Sequence, residues 1–188
     1  MENISVQKRD LAVKAKKVRS LGMVTGSVIG KSLSESISIQ MEETVARKLL
    51  RQKREGSKIV LNIDGQVILV QIKEKTMNTL NNQILDITFQ ALTSDEKVNS
   101  VIHVLLANDD IVVGQLEKML LEIPYASLPE DMIDTITLDL DGIKMGTTIT
   151  VKDIPELMSD KIELQVDLDE TILRLREKRK NVATQTEE

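Results

Sequence analysis

The sequence predicts a mainly β protein of two domains, and three observations carry that prediction. Two runs rich in Ile and Val, KIVLNI and QVILVQIK, flank Asp64-Gly65, a dipeptide suited to a two-residue hairpin turn. Beyond residue 97 the chain breaks into short β-like runs separated by Pro, Gly and Asp clusters. Charge splits the chain as well. Residues 1–58 hold 13 Lys and Arg against 6 Asp and Glu, whereas residues 96–188 hold 10 against 20. A basic front and an acidic back point to two domains with different partners.

The elements follow in order. Residues 1–36 are basic and then rich in Gly and Ser. Gly22, Gly26 and Gly30 read as a glycine-rich turn between a basic segment and a short strand, SESISI (34–39). Residues 37–55 look helical: Glu42 and Glu43 sit early, Arg47, Lys48, Arg51, Lys53 and Arg54 sit late, and Val45/Leu49 and Ala46/Leu50 form i,i+4 pairs. Gly56 is the expected stop. The hairpin occupies 58–73. In QILDITFQAL (83–92), Leu85, Ile87, Phe89 and Ala91 share one face, leaving Asp86, Thr88 and Gln90 on the other. TSDEK (93–97) reads as the boundary. After it come VNSVIHVLL (98–106), ITLDL (136–140), TTITV (147–151), IELQV and TILRL, punctuated by LPED, DLDG and IPEL. The expected division is a basic domain over 1–93, an acidic β-rich domain over 94–180, and a polar mobile tail over 181–188.

Several function classes recede. The chain is 41% hydrophobic and 29% charged, enough to bury a core. No apolar run reaches the roughly 18 residues of a membrane span. MENISVQKRD lacks the apolar stretch of a signal peptide, and there is no cysteine, so a cytoplasmic protein is expected. A phosphate loop ending at Gly30-Lys31-Ser32 needs its first glycine at residue 25, which is Thr25, and no buried strand precedes it. Asp139-x-Asp141-Gly142 lacks the later glutamate of a calcium loop and reads as a turn. His103, the only histidine, sits between Ile102 and Val104 as an ordinary strand residue. No catalytic constellation, cofactor, metal or small-molecule substrate is expected, and hence no enzyme.

The cluster KAKKVR (14–19) has two readings, a solvated surface or a phosphate-contacting one. The chain has only two aromatic residues, Phe89 and Tyr125, so it cannot grip single strands by stacking bases on rings. Any RNA it binds must be read through backbone and shape.

The order of features resembles a known family. A basic AKKVR-x-x-G stretch precedes a short strand ending in Gly30-Lys31; then come KLLR, the IDG hairpin, IKE (72–74), ILxxxFQ (84–90), LPEDM (128–132) and LDLDGIKMGTTITVKDI (138–154). This is similar to the bacterial large-subunit ribosomal protein family twenty-five in its long form, the general stress protein Ctc type. The resemblance implies an N-terminal β-barrel with a few helices followed by a separate β-rich C-terminal domain. It also implies binding to 5S rRNA in the large ribosomal subunit, from the minor-groove side. The RNA-binding residues carried over are Lys14, Lys16, Lys17, Arg19 and Lys31. It assigns no partner to the acidic domain. The departures cluster: Thr25 replaces a family proline, Ile29 a tyrosine, Thr76-Met77-Asn78-Thr79 a Gln-Arg-His-Pro string, and Asp86 and Thr88 a histidine and an aspartate. The alternative is therefore a divergent paralogue that keeps the fold, has lost 5S rRNA binding, and acts as a stress-related interaction protein.

Overall fold

The computed structural model describes residues 3–177, so the polar tail at 181–188 lies outside the described residues. The first half is a closed six-stranded barrel. Its strands are β1 (Asn3–Lys8), β2 (Met23–Ile29), β3 (Ile37–Glu42), β4 (Lys58–Ile63), β5 (Gln66–Asn78) and β6 (Gln83–Ala91). Their order around the wall is β1-β3-β2-β6-β5-β4, closed by parallel pairing of β1 with β4. Closure leaves no free edge and puts alternate side chains inside. The interior is aliphatic, with Ile39, Ile59, Leu61, Ile63, Ile72 and Ile87 packed around Phe89. Helix α1 (Ala15–Ser20) precedes β2, and helix α2 (Glu43–Gln52) follows β3. Ala46 and Leu49 of α2 are buried in the barrel core. The hairpin turns where expected: Asp64 and Gly65 both take positive φ (49° and 94°), as a two-residue turn of this hand requires.

Three local readings need correction. The glycine-rich segment is not a turn: residues 23–29 form β2 in the barrel wall, and the turn comes after it. A side chain at Gly26 would sit 2.6 Å from the Ile87 carbonyl oxygen, so the glycine permits close strand approach. The helix is shorter than 37–55, because residues 37–42 pair with β2 and β1 as strand β3. The apolar spacing of that stretch does not separate the two structures; the pairing partners do. Finally, β6 carries a bulge at Leu85, since Met77 pairs with Ile84 while Thr76 pairs with Asp86. Ile84 is therefore buried and Leu85 only half-buried.

The second half is also β-rich. One sheet has the order β10-β7-β9-β12, from β7 (Val98–Ala107), β9 (Glu122–Ser127), β10 (Thr135–Asp139) and β12 (Ile162–Leu164). The other has the order β11-β13-β8, from β8 (Gln115–Lys118), β11 (Thr148–Thr150) and β13 (Thr171–Arg176). Both contribute to a single core containing Ile102, Ile123, Tyr125, Val151 and Ile172. Tyr125 is buried with its hydroxyl satisfied: it donates to the Ile133 carbonyl (3.0 Å) and accepts from the Ile133 N–H (2.9 Å). Burial raises the phenol above its ordinary pKa. Tyr125→Phe leaves both Ile133 groups without that partner and should cost about 1–3 kcal/mol. Chemical denaturation of the variant checks this, and an unchanged midpoint would refute it.

The Asp139 turn closes on itself, as its oxygen accepts from the Asp141 N–H (3.0 Å) and the Asn108 amide (2.7 Å). These bonds hold the Asp139 carboxyl below its usual pKa. Asp153 is lowered likewise by the Thr150 hydroxyl and N–H, its partners in a capping box. For groups depressed in the folded state, stability is present above the unfolded pKa and lost as pH falls through the folded one. Stability should therefore decline on acidification below about pH 4, and Asp153→Asn should flatten that decline in melts across a pH series.

The two halves meet through polar contacts. Ser100 Oγ donates to the Gly56 carbonyl (3.2 Å), and His103 Nε2 lies 2.8 Å from the Glu55 carbonyl. A carbonyl only accepts, so Nε2 carries the proton. The buried Gln71 amide donates to the Asn99 carbonyl (3.0 Å), Lys53 pairs with Asp134 (3.4 Å), and the Lys58 ammonium donates to the Pro129 carbonyl. His103 lies in β7 as expected, but its ring joins the two halves.

Candidate nucleic-acid interface

The basic run folds as α1. Val18 is buried and anchors the helix on β2, while Lys14, Lys16 and Lys17 are exposed and Arg19 is half-buried. Gly22 ends the helix with φ +77°, its N–H bonded to the Arg19 carbonyl (3.1 Å). None of these four cations has an ion-pair partner among the described residues. They form one compact, uncompensated positive surface.

Lys31 stands apart from them. It lies beyond the far end of β2, about 23 Å from the strand's start at the usual rise per residue. It is also engaged, forming an ion pair with Glu96 of the connecting segment. The five carried-over cations therefore divide into three on α1 with Lys14 at its N-cap, and one at the opposite end of the wall.

The positions that depart from the family pattern converge in space. On β2 and β6, Thr25 pairs with Asp86, Ser27 with Thr88, and Ile29 with Gln90. Thr76 of β5 stands opposite Asp86 from the other side. Thr25, only 2% exposed, has its hydroxyl 2.7 Å from Asp86 Oδ1 and 3.0 Å from the Leu85 carbonyl. Asp86 and Thr88 are half-buried on the outer face, and Ile29 is exposed. The threonine and the aspartate, 61 positions apart, thus act as one hydrogen-bonded unit. This outer strip is polar and bears a carboxylate, in contrast to the cationic α1.

Other cations gather elsewhere. Arg47 and Arg51 of α2 line one open groove with Lys75 of β5. In the sequence the arginines read only as charges suited to a helix terminus, and nothing local connects them to Lys75. Among the described residues no group of three or more His, Cys, Asp or Glu could hold a metal ion. No helix among them is long and apolar enough to cross a membrane.

Comparison with known proteins covers both halves. Residues 4–89 match the Ribosomal L25p family, and residues 97–179 match the C-terminal domain of ribosomal protein TL5. A large ribosomal subunit protein bL25 from Akkermansia muciniphila is 30% identical over 143 residues, covering 74% of this chain and 71% of the relative. The protein of that name from Thermoanaerobacter sp. is 26% identical, covering 92% and 88%. The one from Listeria monocytogenes is 24% identical, covering 90% and 83%. The matched segments coincide with the six-stranded barrel and the second β unit, and with them the chain belongs to the ribosomal L25p family, in the form that carries a TL5-type C-terminal domain.

Proposed function

We propose that this protein is a structural component of the large ribosomal subunit in the bacterial cytoplasm and binds 5S rRNA through its barrel domain. The observation that carries the reading is the α1 surface, where Lys14, Lys16, Lys17 and Arg19 stand together without ion-pair partners among the described residues, on a helix anchored by buried Val18. Phosphate contact by such a cluster supplies affinity and makes it salt-sensitive. The buried state of Phe89 and Tyr125 fits the same picture, since neither ring is available to stack on a base. Lys31, tied to Glu96, contributes less than the α1 residues. A filter or gel assay with 5S rRNA at low salt tests the reading. Lys17→Glu and Arg19→Glu should each weaken the complex about tenfold or more, because reversal both removes a phosphate contact and adds repulsion. No complex with the native chain would sink it.

One observation favours a second reading, a paralogue that keeps the fold without the 5S site. The half-buried Asp86 carboxylate lies on the strip where the family pattern puts RNA contacts, and an ionised carboxylate repels phosphate and donates no hydrogen bond. On that reading, Ile29→Tyr, Asp86→His and Thr88→Asp together create 5S rRNA binding where the native chain has none. Tight binding by the native chain rejects it.

A further inference from the structure

Helix α2 packs against the barrel beside the long hairpin of β5 and β6, and a groove of about 250 Å³ opens between them. Arg47, Arg51 and Lys75 line it together with Leu50, Met77 and Ile84. Arg47 is fixed in place. Glu43 Oε1 accepts from its Nε (2.9 Å) and Nη2 (2.6 Å), and Nη2 also donates to the Asn82 carbonyl (3.1 Å). Arg51 and Lys75 are exposed and have no hydrogen-bond or ion-pair partner among the described residues. Glu74, next to Lys75 in the chain, stands opposite Thr88 on the outer wall, away from the groove. The charge excess is therefore positive, over a floor made by buried Ile84 and half-buried Leu50.

We propose that this groove binds a single unpaired nucleotide of an RNA strand, its phosphate held by Arg51 and Lys75 and its base laid over Met77 and Leu50. The volume suits one nucleotide, and the two free cations suit its charge. With both aromatic rings of the chain buried, a thioether and a guanidinium plane are the surfaces left for a base to cover. The groove also adjoins the α1 surface, because the Gly22 carbonyl at the end of α1 accepts the Glu43 N–H at the start of α2 (3.0 Å). Between the two surfaces stand Glu42, which is exposed, and Glu43, whose carboxylate is already taken up by Arg47. The acidic side chains of a protein segment could answer the charge, but a carboxylate offers no flat face to the apolar floor as a base does. The inference goes beyond the 5S reading and does not need it, since any RNA strand with an extruded nucleotide would serve.

The test is a salt series by fluorescence anisotropy with two probes, a ten-nucleotide oligouridylate and intact 5S rRNA. The proteins are the native chain, R51Q/K75Q and M77A, with circular dichroism melts to verify that each variant folds. For oligouridylate, R51Q/K75Q should bind at least about tenfold more weakly, and the slope of log affinity against log salt should fall by about 0.7, the value for one phosphate contact on a single strand. M77A should weaken binding with the slope unchanged, which marks contact with the base rather than charge. An unaltered affinity and slope in R51Q/K75Q would overturn the proposal, as would competition by polyglutamate as effective as that by RNA. Failure of the native chain to bind 5S rRNA while oligouridylate binding still depends on Arg51 and Lys75 strikes only the 5S reading. Failure to bind either RNA strikes both.

Discussion

Phe89→Ala should destabilise the barrel by about 3–5 kcal/mol, the usual cost of deleting a buried aromatic side chain. Phe89 is fully buried on β6, opposite Ile72 of β5 on one side and Val28 of β2 on the other. It is the only ring among the aliphatic side chains of that core, so no neighbouring ring is there to close over the gap. The walls are hydrogen-bonded on both sides and cannot collapse into the cavity without breaking ladder bonds. For a unit of this size the loss corresponds to a fall in melting temperature of at least about 12 °C. The outer face would suffer too, because β6 presents Asp86 and Thr88 on the side opposite Phe89. Thermal unfolding followed by circular dichroism measures the effect. A fall of less than about 5 °C would mean that the barrel interior repacks far more freely than its geometry allows.

Gly56→Val should uncouple the two halves of the chain. Two independent constraints meet at this glycine. Its φ is +83°, which β-branched residues avoid, and an added Cβ would lie 2.5 Å from Ser100 Oγ, 2.8 Å from the Val101 carbonyl oxygen and 3.0 Å from the Val101 nitrogen. Two of those atoms are backbone and cannot rotate away. The strain alone is on the order of 1–3 kcal/mol. Relieving it means separating Gly56 from β7, which gives up the Ser100–Gly56 and His103–Glu55 hydrogen bonds, about 1 kcal/mol each. The expected result is faster proteolytic cleavage between Leu92 and Lys97, with two calorimetric transitions replacing one. Gly65→Val is the control, for φ there is +94° but the space around it is open, so it carries the backbone strain without the clash. Equal proteolysis of the two variants would remove the contact from the explanation.

Whatever rested on neighbouring residues was legible in the sequence. Asp64-Gly65 set the hairpin because both residues tolerate positive φ, and Ile87, Phe89 and Ala91 declared an inward face by simple alternation. The Asp139 turn was legible for the same reason, as its carboxylate accepts the Asp141 N–H and Gly142 supplies the positive φ (69°) within four residues. Residues 23–29 misled because Gly22, Gly26 and Gly30 look the same whether glycine serves a turn or a close strand approach. Only the Ile87 carbonyl beside Gly26 decides between the two. Residues 37–42 misled because six residues are too few to separate helical from strand spacing, and pairing with β1 and β2 chose the strand.

The candidate site divides in the same way. The sequence by itself determined the hairpin, the charge contrast between the two halves and the cationic run at 14–19, all properties of residues adjacent in the chain. Tertiary structure alone decided that Lys31 stands away from that run and pairs with Glu96, that Thr25 and Asp86 form one unit, and that Arg51 and Lys75 share a groove. Closing a barrel brings distant residues together through strand register, and register is set by the summed packing of the whole wall rather than by any local stretch.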